Sequence, residues 1–434
     1  MSGVHLFHTD RGHHLFVIDG SQLFDIDGLT YDELEQASRR DDQVAIAHLL
    51  AELGVTRPAA PGPPAPQGVV RALSLAVAQA CNLSCRYCYA DGGTFGAGPA
   101  LMSHRTAMDA VDLLCGRAAP GERLNLAFLG GEPLSNRLVL RAATERAAAH
   151  AAARGLLVTF SITTNGTLLD GSDAEFFERH GFAVTISLDG RREVHNLLRP
   201  FKHGPGSYDA VLARVTPLLA VQQRMQVSAR VTVTPWNLEL LETLVEFIGL
   251  GFHSVGFSPV LSSPSGVGEM TAGDLSTMLA EMIACGREFE RQVAVGSRFP
   301  FANMATALRE LHRGTHQSYP CGAAAGYFGV AADGEISACH RFVGNERGRM
   351  GSLSHGIDPD RQILWLTERH VDQQQPCQSC WARHLCGGGC HHEVLTRGRV
   401  ACDYIRGWLQ YCLEAYVRLL EQRPDYFHPP SSAC

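Results

Sequence analysis

Between Arg71 and Pro259 the chain alternates between short apolar runs and helix-like stretches, and that alternation constrains its fold more than any other feature. Leu73–Val77, Leu124–Leu129, Leu157–Ile162, Ala183–Leu188, Val227–Val233 and Ser254–Pro259 read as strands. Ser103–Gly116, Asn136–Arg154, Ala174–His180, Ser207–Leu219 and Leu238–Ile248, between them, read as helices. Strands separated by helices pair in parallel, with the helices covering the outer face of the sheet. Repeated six times, this predicts an α/β fold, an incomplete (β/α) barrel, with its chemistry at the C-terminal strand ends.

The loop after the first strand carries the strongest chemical signal. Ala80–Asp91, ACNLSCRYCYAD, holds Cys81, Cys85 and Cys88 as C-x3-C-x2-C. Three thiolates so spaced can bind three irons of a [4Fe–4S] cluster and leave the fourth open to a small chelating molecule. A structural zinc needs a fourth Cys or His, and this loop supplies none. Three cysteines cannot all pair within the loop, and with no secretion signal expected this argues against disulfides there.

With Tyr87 and Tyr89 interleaved, the triplet resembles that of the radical S-adenosylmethionine (SAM) superfamily. The resemblance implies that SAM chelates the fourth iron. One electron then cleaves SAM to methionine and a 5′-deoxyadenosyl radical, which abstracts hydrogen from the substrate. It also implies roles for residues after later strands. Gly130-Gly131-Glu132-Pro133 would hold the SAM amino group, its glycines allowing close backbone approach. Asn165, in Thr163–Gly166, forms a turn or a polar contact to the ligand. Ser187 would meet a ribose hydroxyl and Arg199, twelve residues on, the methionine carboxylate, as in sulfatase-maturing members. Asp189 orients Arg199 or forms the turn, and Val260 would touch the adenine. The inward or outward direction of Arg230 stays open.

A second group of cysteines begins at Cys321. Cys339 follows, with the hairpin signal Ala332-Asp333-Gly334 between Phe328–Ala331 and Glu335–Ala338. Then come Cys377, Cys380, Cys386, Cys390 and Cys402. A zinc ribbon would explain CQSC alone. The order of all seven resembles the SPASM domain, which binds two auxiliary [4Fe–4S] clusters. By that resemblance Cys321, Cys339 and Cys390 serve the nearer cluster and Cys377, Cys380, Cys386 and Cys402 the distal one, with Cys412 an alternative last ligand. The nearer set lacks a fourth ligand, and a substrate thiolate is one candidate for it. Cys115 and Cys285 read as core thiols and Cys434 as free.

These features predict four segments: a small N-terminal α+β module (1–56), a Pro-rich linker (57–70), the partial barrel (71–313) and the auxiliary-cluster domain (314–434). The module reads as strands at His5–Phe7, His14–Ile18 and Leu23–Ile26, a helix capped by Thr30 and another near Gln43–Leu53. Its role is a packing extension or a peptide-docking surface. A net charge of −7 offers no footprint for nucleic acid, and no apolar run would span a membrane. Fourteen cysteines with no signal peptide suggest a reducing, cytoplasmic setting.

Sulfatase-maturing enzymes place an Asp after the second SPASM cysteine, whereas this chain has His340, a candidate base. CHRFVG and CDYIRGW look closer to SPASM maturases that build thioethers, such as those that mature quinohemoprotein amine dehydrogenase. The expected activity is thioether cross-linking of a Cys-containing peptide or small protein. Flavodoxin or ferredoxin would supply electrons. The alternatives are formylglycine formation and a non-catalytic iron–sulfur carrier.

Overall fold

The computed structural model describes residues 3–55 and 69–428. Residues 57–68 of the expected linker, and Cys434, lie outside them. The chain divides into two compact units: Met1–Pro64 with Met282–Cys321 and Leu366–Cys434, and Ala65–Glu281 with Gly322–Trp365.

The first unit opens with an antiparallel sheet of β1 (Val4–Thr9), β2 (Gly12–Val17) and β3 (Gln22–Ile26), in that order. Helices α1 (Gly28–Arg39) and α2 (Gln43–Glu52) close over it, packing Leu34, Ile46 and Leu50 onto Leu15 and Val17. Helix α1 starts earlier than Thr30 would place it. Asp27 is the N-cap, and its carboxylate accepts both the Thr30 N–H and the Thr30 hydroxyl at 2.9 Å.

In the second unit the strands are β4 (Ala72–Gln79), β5 (Ala100–Leu101), β6 (Arg123–Gly130), β7 (Leu157–Thr164), β8 (Ala183–Ser187), β9 (Gln226–Val233) and β10 (Ser254–Pro259). Their connecting helices are α3 (His104–Gly116), α4 (Arg137–Arg154), α5 (Gly171–His180), α6 (Arg192–Leu198), α7 (Tyr208–Val221) and α8 (Leu240–Gly249). The parallel order β10-β9-β8-β7-β6-β4 is the open, partial (β/α)6 barrel expected. Register aligns Phe128, Ile162, Val184 and Val227 along one buried stripe against the helices. The opposite, concave face carries hydroxyls such as Ser161, Thr185 and Ser228.

Helix α9 (Ala272–Ala294) follows, then α10 (Ala302–His312). Strand β11 (Tyr327–Val330) pairs parallel to β4, on the edge of β4 opposite β6. It turns through Asp333-Gly334 into β12 (Glu335–Ser337), and β13 (Arg349–Ser352) and β14 (Gly356–Ile357) complete an 11-stranded sheet. The hairpin expected around Gly334 therefore extends the barrel sheet. Helices α11 (Pro359–Arg369), α12 (Arg383–Cys386), α13 (His391–Arg397) and α14 (Cys402–Gln422) make the rest of the chain largely helical. No described helix is long and apolar enough to cross a membrane.

Candidate functional site

The triplet loop is held from two sides. On one side the Gly131 N–H donates to Ala78 O and the Glu132 N–H to Ala80 O, at 2.7 and 2.8 Å. A Cβ on Gly131 would stand 2.2 Å from Ala80 O. The close approach these glycines permit is thus to the triplet strand itself, rather than only to a ligand. On the other side Ser84 and Arg86 N–H groups donate to Pro200 O and Leu198 O, and Lys202 N–H to Asn82 O. The segment carrying Arg199 is therefore laced strand-like to the cysteine loop.

Glu132 is fully buried, and its carboxylate accepts Leu134 N–H (3.0 Å), Thr164 O–H (2.7 Å) and Asn165 N–H (2.8 Å). Burial raises its pKa, and these three donors oppose the rise. Most of its acceptor capacity is thus used tying the loop after β6 to the loop after β7, where Pro133 begins a short helical turn. Asn165 bridges further: its amide donates to Asn82 Oδ1 (2.9 Å) and to Cys81 Sγ (3.6 Å).

Tyr87, Asp189 and Arg199 form a buried triad. The Tyr87 hydroxyl donates to Asp189 Oδ2, and Arg199 Nη1 donates to the Tyr87 oxygen at 2.6 Å and lies 3.7 Å from Asp189. Of the two expectations for Asp189, orientation of Arg199 is the one this geometry supports. Burial pushes the Asp189 carboxyl up, while Arg199, Tyr87 and the Thr232 N–H pull it back. Val260 packs with Tyr87 and Leu198 in one apolar cluster. Ser187 ends β8, half-buried and in register with Arg230 of β9.

Sequence reasoning missed His195, because REVHNLL is a helix of only seven residues. It is fully buried, accepts the Asp189 N–H on Nδ1 and meets Ser207 Oγ with Nε2. Its place four residues before Arg199, on one helical face, was the available signal.

Cys81, Cys85 and Cys88 are free thiols. Burial pushes Cys85 up to about 12, with Arg199 opposing and the other two thiols reinforcing the rise. Among the described residues no three His, Cys, Asp or Glu side chains converge on a single ion. A cubane does not ask for that, since each thiolate binds a different iron. The donor set fits a cluster: three thiols, the Leu83 N–H and the Asn165 amide aimed at Cys81, and a cation beside Cys85. Arg199 Nε is buried without a hydrogen-bond partner, which fits a bound carboxylate such as that of SAM.

In the first unit Cys377, Cys380, Cys386 and Cys402 lie close together: Cys380 and Cys402 both act on the Cys377 thiol, and Cys377 and Cys402 on that of Cys386. Gly388 and Gly389 N–H groups donate to Cys386, Arg399 bonds Cys377 and Arg406 bonds Cys380. This donor set also fits a cluster. Cys412 stands instead in the α10–α14 interface, fully buried, 4.0 Å from the Met304 sulfur. Cys321 and Cys390 are exposed members of this unit, and Cys339 is buried in the other.

His340 follows Cys339 in the second unit. Its Nδ1 lies 2.7 Å from the Tyr327 hydroxyl, itself 2.9 Å from Ser74 Oγ. The His340 ring meets Tyr89 edge-on, and the Arg341 guanidinium lies over Tyr89 at 5.1 Å.

Comparison with known proteins gives the same picture. Residues 75–248 match the Radical SAM superfamily model. A serine-type anaerobic sulfatase-maturating enzyme of Klebsiella pneumoniae is 25% identical over 349 residues, spanning 76% of this chain and 84% of that protein. An uncharacterized protein of Archaeoglobus fulgidus is 27% identical over 325 residues, 73% of each. Among solved structures, anSMEcpe with bound AdoMet aligns over 81% of this chain and 99% of its own, with TM-score 0.68 and 19% identity. Streptococcus suis SuiB bound to its precursor peptide SuiA aligns over 91% and 96%, with TM-score 0.53 and 14% identity. These likenesses in structure are likenesses of fold. The superfamily match begins within β4 and ends within α8, enclosing the cysteine loop and its latches, and residues 75–248 form a radical SAM domain.

Proposed function

We propose that the chain matures a Cys-containing peptide or small protein by joining the cysteine sulfur to a carbon of an acidic residue. The observation that carries this reading is His340, an imidazole held by Tyr327, itself held by Ser74, where sulfatase maturation uses a carboxylate. The open fourth position expected at the nearer auxiliary cluster supports it. Bound at Cys81, Cys85 and Cys88, a [4Fe–4S] cluster with SAM would supply the hydrogen-abstracting radical. Arg199 would hold the methionine carboxylate, Ser187 and Val260 would position the nucleoside, and Glu132 and Asn165 would brace the loop. His340 would accept the thiol proton. The balance is one hydrogen atom lost from carbon, one proton lost from sulfur and one C–S bond formed. Cys321, Cys339 and Cys390, and Cys377, Cys380, Cys386 and Cys402, would hold auxiliary clusters, which would supply an acceptor for the remaining electron. A flavodoxin or ferredoxin would supply the electron for each SAM cleavage. Residues 1–56 would dock the peptide.

The second reading, oxidation of Cys or Ser to formylglycine, is favoured by the Klebsiella pneumoniae relative. Both oxidations remove two hydrogens from the peptide, and with cysteine the resulting thioaldehyde further takes up water and releases hydrogen sulfide to give the aldehyde. Thiol alkylation and tandem mass spectrometry of the product separate them. A thiol that no longer alkylates, with fragments linked through sulfur, supports the thioether. An aldehyde at the former cysteine refutes it.

A further inference from the structure

We infer that Arg230, on the concave face of the sheet, anchors a carboxylate of the bound peptide. The inference rests on the peptide-maturase reading above and adds the substrate group that the barrel recognises.

Alternation along β9 buries Val227, Ala229, Val231 and Val233 against the helices. Ser228, Arg230 and Thr232 fall on the other face, which the open barrel leaves to solvent. Arg230 is in register with Ser187, the last residue of β8, so it stands toward the C-terminal end where barrel chemistry gathers. The concave positions of the six parallel strands hold only one other charge, Arg123, the first residue of β6 and so at the far end. None of those positions holds a carboxylate.

Arg230 is exposed, and Nη1 donates to Ser258 Oγ at 2.9 Å, a neutral partner. Asp189, which takes the N–H of Thr232 two residues along β9, is already used by Tyr87 and Arg199. Desolvation by the surrounding protein lowers the Arg230 pKa, and no neighbouring charge opposes it. A guanidinium set in a recess without a counter-ion among the described residues favours an incoming anion, and its planar fork matches a carboxylate in particular.

Two carboxylates are available: that of SAM and an Asp or Glu side chain of the peptide. Arg199 bonds Tyr87 inside the triplet loop and the Arg86 N–H donates to Leu198 O beside it, whereas Arg230 bonds Ser258 on the neighbouring strand. The cation nearer the cluster loop is Arg199, which leaves Arg230 for the peptide.

The test uses cluster-reconstituted protein loaded with SAM and synthetic peptides carrying one Cys and one Asp at graded separations, each with an Asp→Asn twin. At least one Asp peptide should bind about 10- to 100-fold more tightly than its twin, the range for a hydrogen bond to a charged group. Arg230→Gln should abolish that preference, Arg230→Lys should restore part of it, and SAM affinity should stay within about twofold in both. Three results overturn the inference: no Asp preference in the unsubstituted protein, a preference that survives Arg230→Gln, or a loss of SAM affinity in that variant. The last would reassign the guanidinium to the methionine carboxylate. An Arg230-dependent preference whose product carries an aldehyde keeps the site and removes the thioether reading. A thioether formed regardless of Arg230 does the reverse.

Discussion

Acid should loosen the turn that holds Arg199, and His195 sets the size of the effect. Ser207 Oγ donates to Arg199 O at 2.6 Å, so its single hydrogen is committed. His195 Nε2, 3.0 Å from that oxygen, must therefore be the donor, while Nδ1 accepts the Asp189 N–H at 3.2 Å. This fixes the neutral tautomer, and a second proton on Nδ1 would point at another N–H. Burial first, and Arg199 second, lower the His195 pKa from 6.5 to about 3. The unfolded chain therefore takes up a proton that the folded chain refuses. The stabilisation is complete above pH 6.5 and is lost as pH falls toward 3. Linkage puts the loss at about 2 kcal/mol between pH 8 and pH 5. Burial lowers His391 to about 4, with the same sign, so the whole protein should lose more than this. Urea unfolding of the unsubstituted protein and of His195→Gln, each at pH 8 and pH 5, isolates the His195 share. Glutamine can accept from one N–H and donate to one oxygen without titrating. Its loss on acidification should be smaller by about 2 kcal/mol. Equal losses in the two proteins would refute the tautomer assignment and the argument built on it.

Three further outcomes are expected. Anaerobically reconstituted protein should hold about twelve irons, and joint replacement of Cys81, Cys85 and Cys88 by Ala should remove about four of them and abolish SAM cleavage; zinc with about four irons in the unsubstituted protein would refute the auxiliary clusters. Arg199→Ala leaves the fully buried Asp189 without its cation and should cost about 3–5 kcal/mol of stability as well as SAM affinity. Adding Asp189→Asn should recover part of the stability but not the affinity, as read by denaturation and equilibrium SAM binding. Gly131→Ala places a Cβ 2.2 Å from Ala80 O, so the triplet loop must shift; stability should fall by about 1–3 kcal/mol and iron content at the triplet should drop with it.

The six barrel strands were legible because each is apolar on the helix-facing side and bounded by a turn. The observed strands differ from the sequence reading by no more than two residues at either end. Thr30 was misread as a cap because both Asp27 and Thr30 are good capping residues, and sequence alone does not show which carboxylate or hydroxyl reaches which N–H. Asp27 wins by accepting from both groups of Thr30. The pairing of β11 with β4 was hidden for a different reason. It joins residues more than 250 positions apart, and a local hairpin signal says nothing about the sheet that receives it. Arg230 was left undecided because one residue of register turns a strand side chain from core to lumen. The pairing of β8 with β9 supplies that register.

The site residues were readable as a set, whereas their division of labour was not. Glu132 and Arg199 were both expected, by resemblance to the radical SAM superfamily, to be ligand contacts. In the fold each also binds protein: Glu132 fastens Thr164 and Asn165, and Arg199 completes a triad with Tyr87 and Asp189. A cluster loop has to offer three sulfurs in fixed directions, and cysteines alone do not fix a loop. Here the fixing comes from backbone bonds to the Gly131 and Leu198–Lys202 segments and from carboxylates buried behind them. Those carboxylates are stable only when saturated with donors, so the same polar residues that meet a ligand must first satisfy one another. Substitution at such positions will therefore lower stability and ligand affinity together, and a loss of affinity alone distinguishes Arg230 from them.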